Sequence, residues 1–292
     1  MRGSRLTARR RATSQARAHQ VSLHVGLFVA LTLLAPSGAA AAFEFAWPDA
    51  RTAGLGVVQP DPLAAPLLKT DQSHAAADSS RALVRVSGGE LFGLSEARGF
   101  RTEAVVATGI GSVGVIAAQT GGSLYRERTL GASLRGRLRS GSQVELGLRG
   151  LAVGADGASE RWTVALDIRA LHVAFGRLVL GAAAENVGGS RVGGSPVASR
   201  VAGGCSLMLD GLTLRLSTML EPGFDASMSL GCEFSVSRWL KARIGTSLEP
   251  ERLAAGLGFE IPQGARRYEL DVAWQWHPRL GGSSFASVGF RW

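Results

Sequence analysis

Residues 267–292 read RYELDVAWQWHPRLGGSSFASVGFRW and contain two segments in which apolar and polar residues alternate. The first segment has on one face Tyr268, Leu270, Val272, Trp274 and Trp276. The second segment continues to the last residue and has on one face Ser284, Ala286, Val288, Phe290 and Trp292. A period of two residues is the pattern of a β-strand. The stretch therefore predicts a hairpin, and Val288, Phe290 and Trp292 mark its last strand as the one that closes a barrel.

A bulky aromatic residue at the end of an alternating strand is typical of bacterial outer-membrane barrels, whereas the ends of soluble domains are usually polar. Similar alternating segments recur from about residue 81 onward, about fourteen in all, separated by Gly, Ser, Pro or Asp. Nearly every segment is apolar on one face and carries ionic residues on the other. We therefore predict an all-β fold, a transmembrane antiparallel β-barrel of about fourteen strands with lipid outside and a polar lumen inside.

Closure of the sheet also suits a membrane, because a bilayer offers no hydrogen-bond partner to an open strand edge. Alternation alone does not identify the surrounding medium, since antiparallel sheets of soluble proteins alternate as well. A soluble periplasmic β-sandwich, in which two apolar faces pack together, is the alternative fold.

The front of the chain has the features of a secretory signal peptide over residues 1–42. Arginines crowd residues 1–20, a mostly apolar run follows at 21–34, and small residues precede position 43. The apolar run is shorter than the ~20 residues of a membrane-spanning helix, and an uncleaved anchor is the alternative. Six arginines and no acid lie in this segment, so its removal lowers the formal net charge from +9 to +3. A nucleic-acid partner is therefore not expected.

Residues 43–80 differ from the rest, with four prolines and no alternation. Each proline removes a donor from a strand ladder, so this segment is not expected to join the sheet. Two arrangements remain open, a plug-like segment inside the lumen and a periplasmic arm. The predicted organisation is thus a signal peptide at 1–42, a plug or periplasmic segment at 43–80, and a barrel at 81–292.

The polar faces of the strands supply the candidate lumen residues. Those selected are Arg149, Arg161, Asp167, Arg169, Arg215, Arg243, Glu260, Arg267, Glu269 and Asp271. One interpretation is structural, with opposite charges pairing across neighbouring strands. The other is functional, a weakly cationic channel or a surface that binds an anionic or amphipathic solute.

Several short motifs resemble a known family. They are Ala50-Arg-Thr-Ala-Gly-Leu-Gly56, Asp61-Pro-Leu-Ala-Ala-Pro66, Gly181-Ala-Ala-Ala-Glu-Asn-Val-Gly188, Gly256-Leu-Gly-Phe-Glu260 and Glu269-Leu-Asp-Val-Ala-Trp274. Together they resemble the PorV/PorQ-type branch of the FadL-like outer-membrane barrels, although the Asn-Pro-Ala of that branch is absent near residues 66–70. The resemblance implies a fourteen-stranded barrel with the N-terminal segment inside or beneath it. It also implies one of two roles, passage of hydrophobic compounds or attachment of partners in protein secretion.

Motifs of enzymes and cofactor sites are weak in this chain. Residues 109–114 satisfy G-x-G-x-x-G, but a strand-like segment follows where a dinucleotide site needs a helix, so a hairpin turn is predicted. Cys205 and Cys232 fall on the lipid-facing sides of non-neighbouring strands, which argues against a disulfide. The histidines of the mature chain are far apart and show no zinc-binding spacing. No catalytic, cofactor or metal residue is therefore predicted.

The hypothesis from the sequence is passage of small or hydrophobic solutes across the bacterial outer membrane. A non-conducting barrel that docks secretion or envelope proteins is the alternative. The expected partners are the lipid bilayer, the outer-membrane assembly machinery acting through the C-terminal strand, and either a hydrophobic solute or a secretion partner.

Overall fold

The computed structural model describes residues 47–57, 61–63, 81–138 and 141–292. The predicted signal peptide lies outside the described residues, as does most of the segment at 43–80. Among the described residues, no helix has the length and hydropathy needed to cross a bilayer.

Within the described ranges, fourteen antiparallel strands close into a barrel. The elements are β1 (Ala82–Leu91), β2 (Leu94–Ala107), β3 (Gly111–Gly121), β4 (Tyr125–Arg137), β5 (Ser142–Ala155), β6 (Arg161–Ala174), β7 (Leu178–Glu185), β10 (Arg200–Leu209), β11 (Leu212–Leu220), β12 (Ser227–Ser235), β13 (Leu240–Leu248), β14 (Arg252–Gln263), β15 (Arg266–His277) and β16 (Gly281–Arg291). A separate two-stranded hairpin joins β7 to β10 and consists of β8 (Arg191–Val192) and β9 (Ser195–Pro196). A helix, α1 (Ala50–Gly54), precedes the barrel. The predicted fold is confirmed, and the β-sandwich alternative is wrong.

Barrel strands that follow one another in the chain pair with each other, and β1 pairs with β16 to close the barrel. The last residue takes part in this seam, because Trp292 donates its N–H to the Ala82 carbonyl at 3.2 Å and accepts from the Ala82 N–H at 3.0 Å. Val288 and Trp292 project outward with about half of their surface exposed, at 58% and 46%. Phe290 shares their face and lies opposite Val84 of β1.

Strand alternation separates two environments. On β15, Glu269 and Asp271 are buried, whereas Leu270, Val272 and Trp274 between and beside them are exposed. This is the reverse of a soluble protein, in which the apolar face would be the buried one. The outer faces thus form the apolar belt that a membrane barrel presents to lipid.

Two details of the sheet agree with the sequence analysis. Residues 109–114 form the turn between β2 and β3 and the start of β3, as predicted for a hairpin. Cys205 on β10 and Cys232 on β12 are separated by β11 and are not bonded to each other.

The barrel has two unlike ends. We call the end that carries residues 81 and 292 the terminal end, and the opposite one the distal end. All turns at the terminal end are two to four residues long, whereas the distal end has short turns and also the three longest connections, 156–160, 221–226 and 186–199. Outer-membrane barrels have short periplasmic turns and longer external loops. The terminal end therefore corresponds to the periplasmic side.

Candidate functional site

The described residues before the barrel lie inside it. We call residues 47–57 and 61–63 the plug. Helix α1 begins after Asp49, whose carboxylate accepts from the Thr52 N–H at 2.7 Å and caps the helix. The helix packs against the inner faces of β13–β16, and its small residues Ala50 and Ala53 are fully buried there. Helix α1 thus occupies the β13–β16 side of the lumen.

Inward-facing glycines let the plug backbone approach the wall. A Cβ on Gly245 of β13 would lie 2.1 Å from the Leu55 carbonyl oxygen, and one on Gly181 of β7 would lie 2.2 Å from the Pro62 carbonyl oxygen. Real Cβ atoms do not approach an oxygen so closely, so only glycine fits at these positions. The wall is shaped to receive the plug at both places.

An ion-pair cluster under α1 ties the plug to β12. The guanidinium of Arg51 donates to both carboxylate oxygens of Glu233, at 3.1 and 2.8 Å. Glu233 also accepts from Arg243 of β13 at 2.6 Å, and Arg243 donates to Asp271 at 2.5 Å. Glu233, Arg243 and Asp271 are all buried. A carboxylate held by two guanidiniums is a strong, directional contact.

A second cluster holds the N-cap of α1. Arg85 of β1 donates to Asp49 at 2.9 Å, to Glu269 at 2.9 Å and to Glu103 at 3.1 Å. Burial raises the pKa of Asp49, but the Arg85 guanidinium, the hydrogen bonds from Thr52 and the Arg101 guanidinium together outweigh it and lower the pKa to about 2. Asp49 is therefore a carboxylate throughout the physiological range.

Further along the plug, Asp61 pairs with Arg215 of β11 at 3.3 Å. Arg215 also donates to the Leu63 carbonyl at 3.2 Å. Gln275 of β15 donates to the Ala53 carbonyl at 2.9 Å. Polar contacts with strands on several sides of the barrel thus hold the plug.

The wall formed by β2–β7, β10 and β11 remains free of plug residues over part of its surface and lines a cavity of about 320 Å³. Its charged lining includes Arg135 and Arg169, which both bind Glu145, and Arg149, which donates to Asp167 at 2.8 Å. Its apolar lining includes Val105, Ile116, Val179 and Met208, with Leu63 from the plug. The cavity is within the size range of small-molecule sites, and its lining is amphipathic.

The predicted lumen residues occupy different parts of this interior. Those lining the cavity are Arg149, Asp167, Arg169 and Arg215. Those buried in ion pairs on the plug side are Arg243, Glu269 and Asp271. Glu260 pairs with Lys241 and, at 3.8 Å, with Arg267, towards the terminal end. Arg161 is exposed at the start of β6, at the distal end. Most of these charges are therefore paired across strands.

The distal end carries a feature that the sequence analysis missed. Val192 of β8 and Val197, just after β9, are buried against Leu151 and Ala165, on the inner faces of β5 and β6. The connection thus folds back over the distal opening.

Asn186 organises this connection and is fully buried. Its amide nitrogen donates to the Val197 carbonyl and the Ser199 hydroxyl, each at 3.0 Å, and its oxygen accepts from Ser190 N–H at 2.8 Å. Asn186 stood in a motif of the family resemblance. A buried asparagine just after a strand could have indicated an ordered loop.

Comparison with known proteins shows the fold. No family model matches the chain, and no curated protein matches it in sequence. Among solved structures, the toluene transporter TodX of Pseudomonas putida matches with a TM-score of 0.52 and 10% identity, over 85% of this chain and 98% of that one. A FadL homologue of Pseudomonas aeruginosa matches with a TM-score of 0.51 and 10% identity, over 72% of this chain and 89% of that one.

The chain is a bacterial outer-membrane β-barrel. The two solved structures named above are barrels of the FadL family, so the fold agrees with the broader part of the resemblance found in the sequence. The predicted outer-membrane location is confirmed. Because only 10% of the residues are identical, the likeness shows the fold and nothing further.

Proposed function

We propose that this barrel passes small hydrophobic or amphipathic solutes across the outer membrane, and that the plug closes the lumen at rest. The observation that supports the proposal is the cavity beside the plug, whose lining combines apolar side chains with paired charges. A solute that is partly apolar can contact Ile116, Val179 and Met208 and still find hydrogen-bond donors among the arginines.

The character of the plug contacts supports a movable plug. Helix α1 itself contributes alanine and glycine to the wall, whereas the larger buried apolar side chains of the plug, Trp47, Leu55 and Leu63, lie outside the helix. Ion pairs supply most of the specific contacts, and Arg51 keeps 39% of its side-chain surface exposed. Water or a charged solute that reaches the exposed side of Arg51 can compete for its ion pair with Glu233.

The experiment measures uptake of toluene by proteoliposomes that contain the purified barrel. Gly245→Ala should displace the plug, because its methyl group would overlap the Leu55 carbonyl oxygen. Gly147→Ala is the matched control, because a Cβ there lies at an ordinary 3.5 Å from Asp167 on the cavity side. Uptake should exceed that of protein-free liposomes for all three proteins and should be at least about tenfold faster for Gly245→Ala.

A non-conducting barrel that docks other proteins is the second candidate, and with it the PorV/PorQ branch. Its support is the partly filled lumen, since the plug lies inside the barrel and Val192 and Val197 of the distal connection are buried against its inner wall. Uptake that never exceeds the protein-free background, even with Gly245→Ala, would contradict transport. A stoichiometric secretion partner retained during purification would then favour docking.

Two further proposals concern partners and organisation. The outer-membrane assembly machinery is proposed to recognise the last strand through Val288, Phe290 and Trp292. Residues 1–42 are proposed to act as the signal peptide, and the masses of the mature chain's N-terminal peptides would test the cleavage site. No catalytic role is proposed.

A further inference from the structure

The terminal end of the barrel has a rim of exposed arginines. Counting the described residues of the terminal connections, the chain ends and the strand residues beside them, five arginines and one acid, Asp210, are exposed. The five are Arg81, Arg137, Arg177, Arg238 and Arg266. We call them the rim arginines. The rim arginines have no ion-pair partner among the described residues, unlike most arginines of the lumen.

The distal end differs in charge. Counted in the same way, the described residues there include three exposed arginines, Arg161, Arg191 and Arg279. They also include four exposed acids, Asp156, Asp225, Glu249 and Glu251. The excess of positive charge is therefore confined to the terminal end and does not follow from the composition of the whole chain.

Exposed apolar side chains accompany the rim arginines. Leu138 follows Arg137, and Val236 and Trp239 lie on either side of Arg238. Trp239 also stacks on Phe259 of the outer face, with ring centroids 6.4 Å apart. Ile110, at the tip of the β2–β3 turn, is 80% exposed. Cationic and amphipathic side chains together are characteristic of the boundary between headgroups and acyl chains.

The arrangement of the rim arginines selects the kind of partner. They are distributed over the start of β1 and the β4–β5, β6–β7, β12–β13 and β14–β15 turns, so they encircle much of the barrel. A lipid leaflet surrounds a barrel in the same way, whereas a docked protein usually covers one patch. The planar guanidinium of each rim arginine can bind phosphate oxygens in a bidentate manner.

We propose that the rim arginines bind the phosphate groups of anionic phospholipids in the inner leaflet, such as phosphatidylglycerol. Guanidinium groups pair with the phosphates, and Leu138, Val236 and Trp239 insert beside the upper acyl chains. The rim anchors the periplasmic end at a defined depth in the membrane. This lipid site does not depend on transport, so it stands even if the lumen is sealed.

The experiment is native mass spectrometry of the full-length, detergent-extracted barrel in equal amounts of phosphatidylglycerol and phosphatidylethanolamine. The wild type should retain phosphatidylglycerol in preference. Each arginine near an anionic surface contributes about fivefold in affinity. The triple variant Arg137→Gln/Arg177→Gln/Arg238→Gln should therefore lower the preference by at least about tenfold, and 1 M KCl should weaken it in the wild type.

The matched control makes the same three changes at the distal end, Arg161→Gln/Arg191→Gln/Arg279→Gln, and should keep the wild-type preference. Heat-modifiable gel migration verifies that both variants fold. Equal retention of the two lipids by the wild type would overturn the proposal, as would an equal loss in the two triple variants. If the wild type shows no lipid preference but loses a stoichiometric acidic protein on rim mutation, the rim is a protein-docking surface and the lipid proposal is wrong.

Discussion

The two sides of the lumen are built from strands with the same alternation, yet one side is covered by the plug and the other lines a cavity. On the covered side, the inward positions against α1 are small, such as Gly245, Gly256 and Ala273. On the cavity side, Ile116, Val179 and Met208 point inward at comparable positions. Charged pairs occur on both sides. Phe285 packs beside α1 and Gly147 lines the cavity, so residue size does not differ uniformly between the two sides. The plug backbone instead approaches the wall at particular glycines, Gly245 and Gly256.

The largest effect should come from breaking the ion-pair cluster beneath the plug. Glu233→Gln leaves Arg51 and Arg243 without their shared carboxylate, and removing one partner of a buried pair costs about 3–5 kcal/mol. Urea unfolding of the barrel in detergent micelles, followed by tryptophan fluorescence, should report this loss. Glu260→Gln is the control, because Glu260 is partly exposed beside Lys241 and should lose less than about 1 kcal/mol. Equal losses of unfolding free energy in the two variants would contradict the claim that the buried cluster stabilises the protein more than the partly exposed pair does.

A smaller effect is expected at the folded-back connection of the distal end. Asn186→Ala removes the amide that bonds to Val197 and Ser199, which should destabilise the connection by about 1–3 kcal/mol. Hydrogen exchange at residues 187–199 should increase, while the strands on the plug side keep their protection. Unchanged exchange there would show that Val192 and Val197 hold the connection without Asn186.

Substitution of Phe290, beside the barrel seam, should lower the free energy of unfolding by about 1 kcal/mol. Phe290 packs between Tyr268 and Trp292, with ring centroids 5.0 and 5.1 Å away, so Phe290→Ala removes two aromatic contacts. If the assembly machinery recognises this strand, the amount of folded protein in outer-membrane fractions should fall further than the loss of unfolding free energy explains. Leu270→Ala, on the same outer face of β15, is the control. A similar drop in both variants would argue against recognition of the last strand.

The smallest effect is the response to pH. Asp49 has a pKa of about 2, lowered from 3.8, so its contribution to plug binding is complete above about 4 and is lost as the pH falls through about 2. Resistance of the plug to added protease should therefore be the same at pH 7 and pH 5. A plug that becomes cleavable between these values would show that another group controls it.

Much of the fold followed from the sequence because alternation reports a local property. On β15, Glu269 is buried and Leu270 is exposed because the two faces of the strand meet different media. This alternation can be recognised within a single strand, so it predicts all fourteen strands in the same way. The sequence does not distinguish a plug from an arm at residues 43–80, because that choice depends on residues far away in the chain. Which wall meets α1 depends on glycines of β12–β14 that are far apart in sequence from the plug.

The candidate site was less accessible than the fold. Its charged residues were recognisable on polar strand faces, but the partners of Arg51 and Asp61 lie more than 150 positions away. The inward apolar residues Ile116 and Val179 stand in Ala- and Gly-rich strands with little alternation, so no pattern identified them as cavity lining. Long-range pairing and departures from alternation therefore required the structure.

The most direct test of the account is to lock the plug to the wall. A Cβ on Gly54 would lie 3.4 Å from the Ala273 Cβ, close to disulfide geometry. Gly54→Cys/Ala273→Cys, in a background with Cys205 and Cys232 replaced by serine, should cross-link α1 to β15. The account predicts that toluene uptake by proteoliposomes stops when the bond is oxidised and returns on reduction. Equal uptake in the locked and reduced states would contradict the claim that movement of the plug opens the lumen.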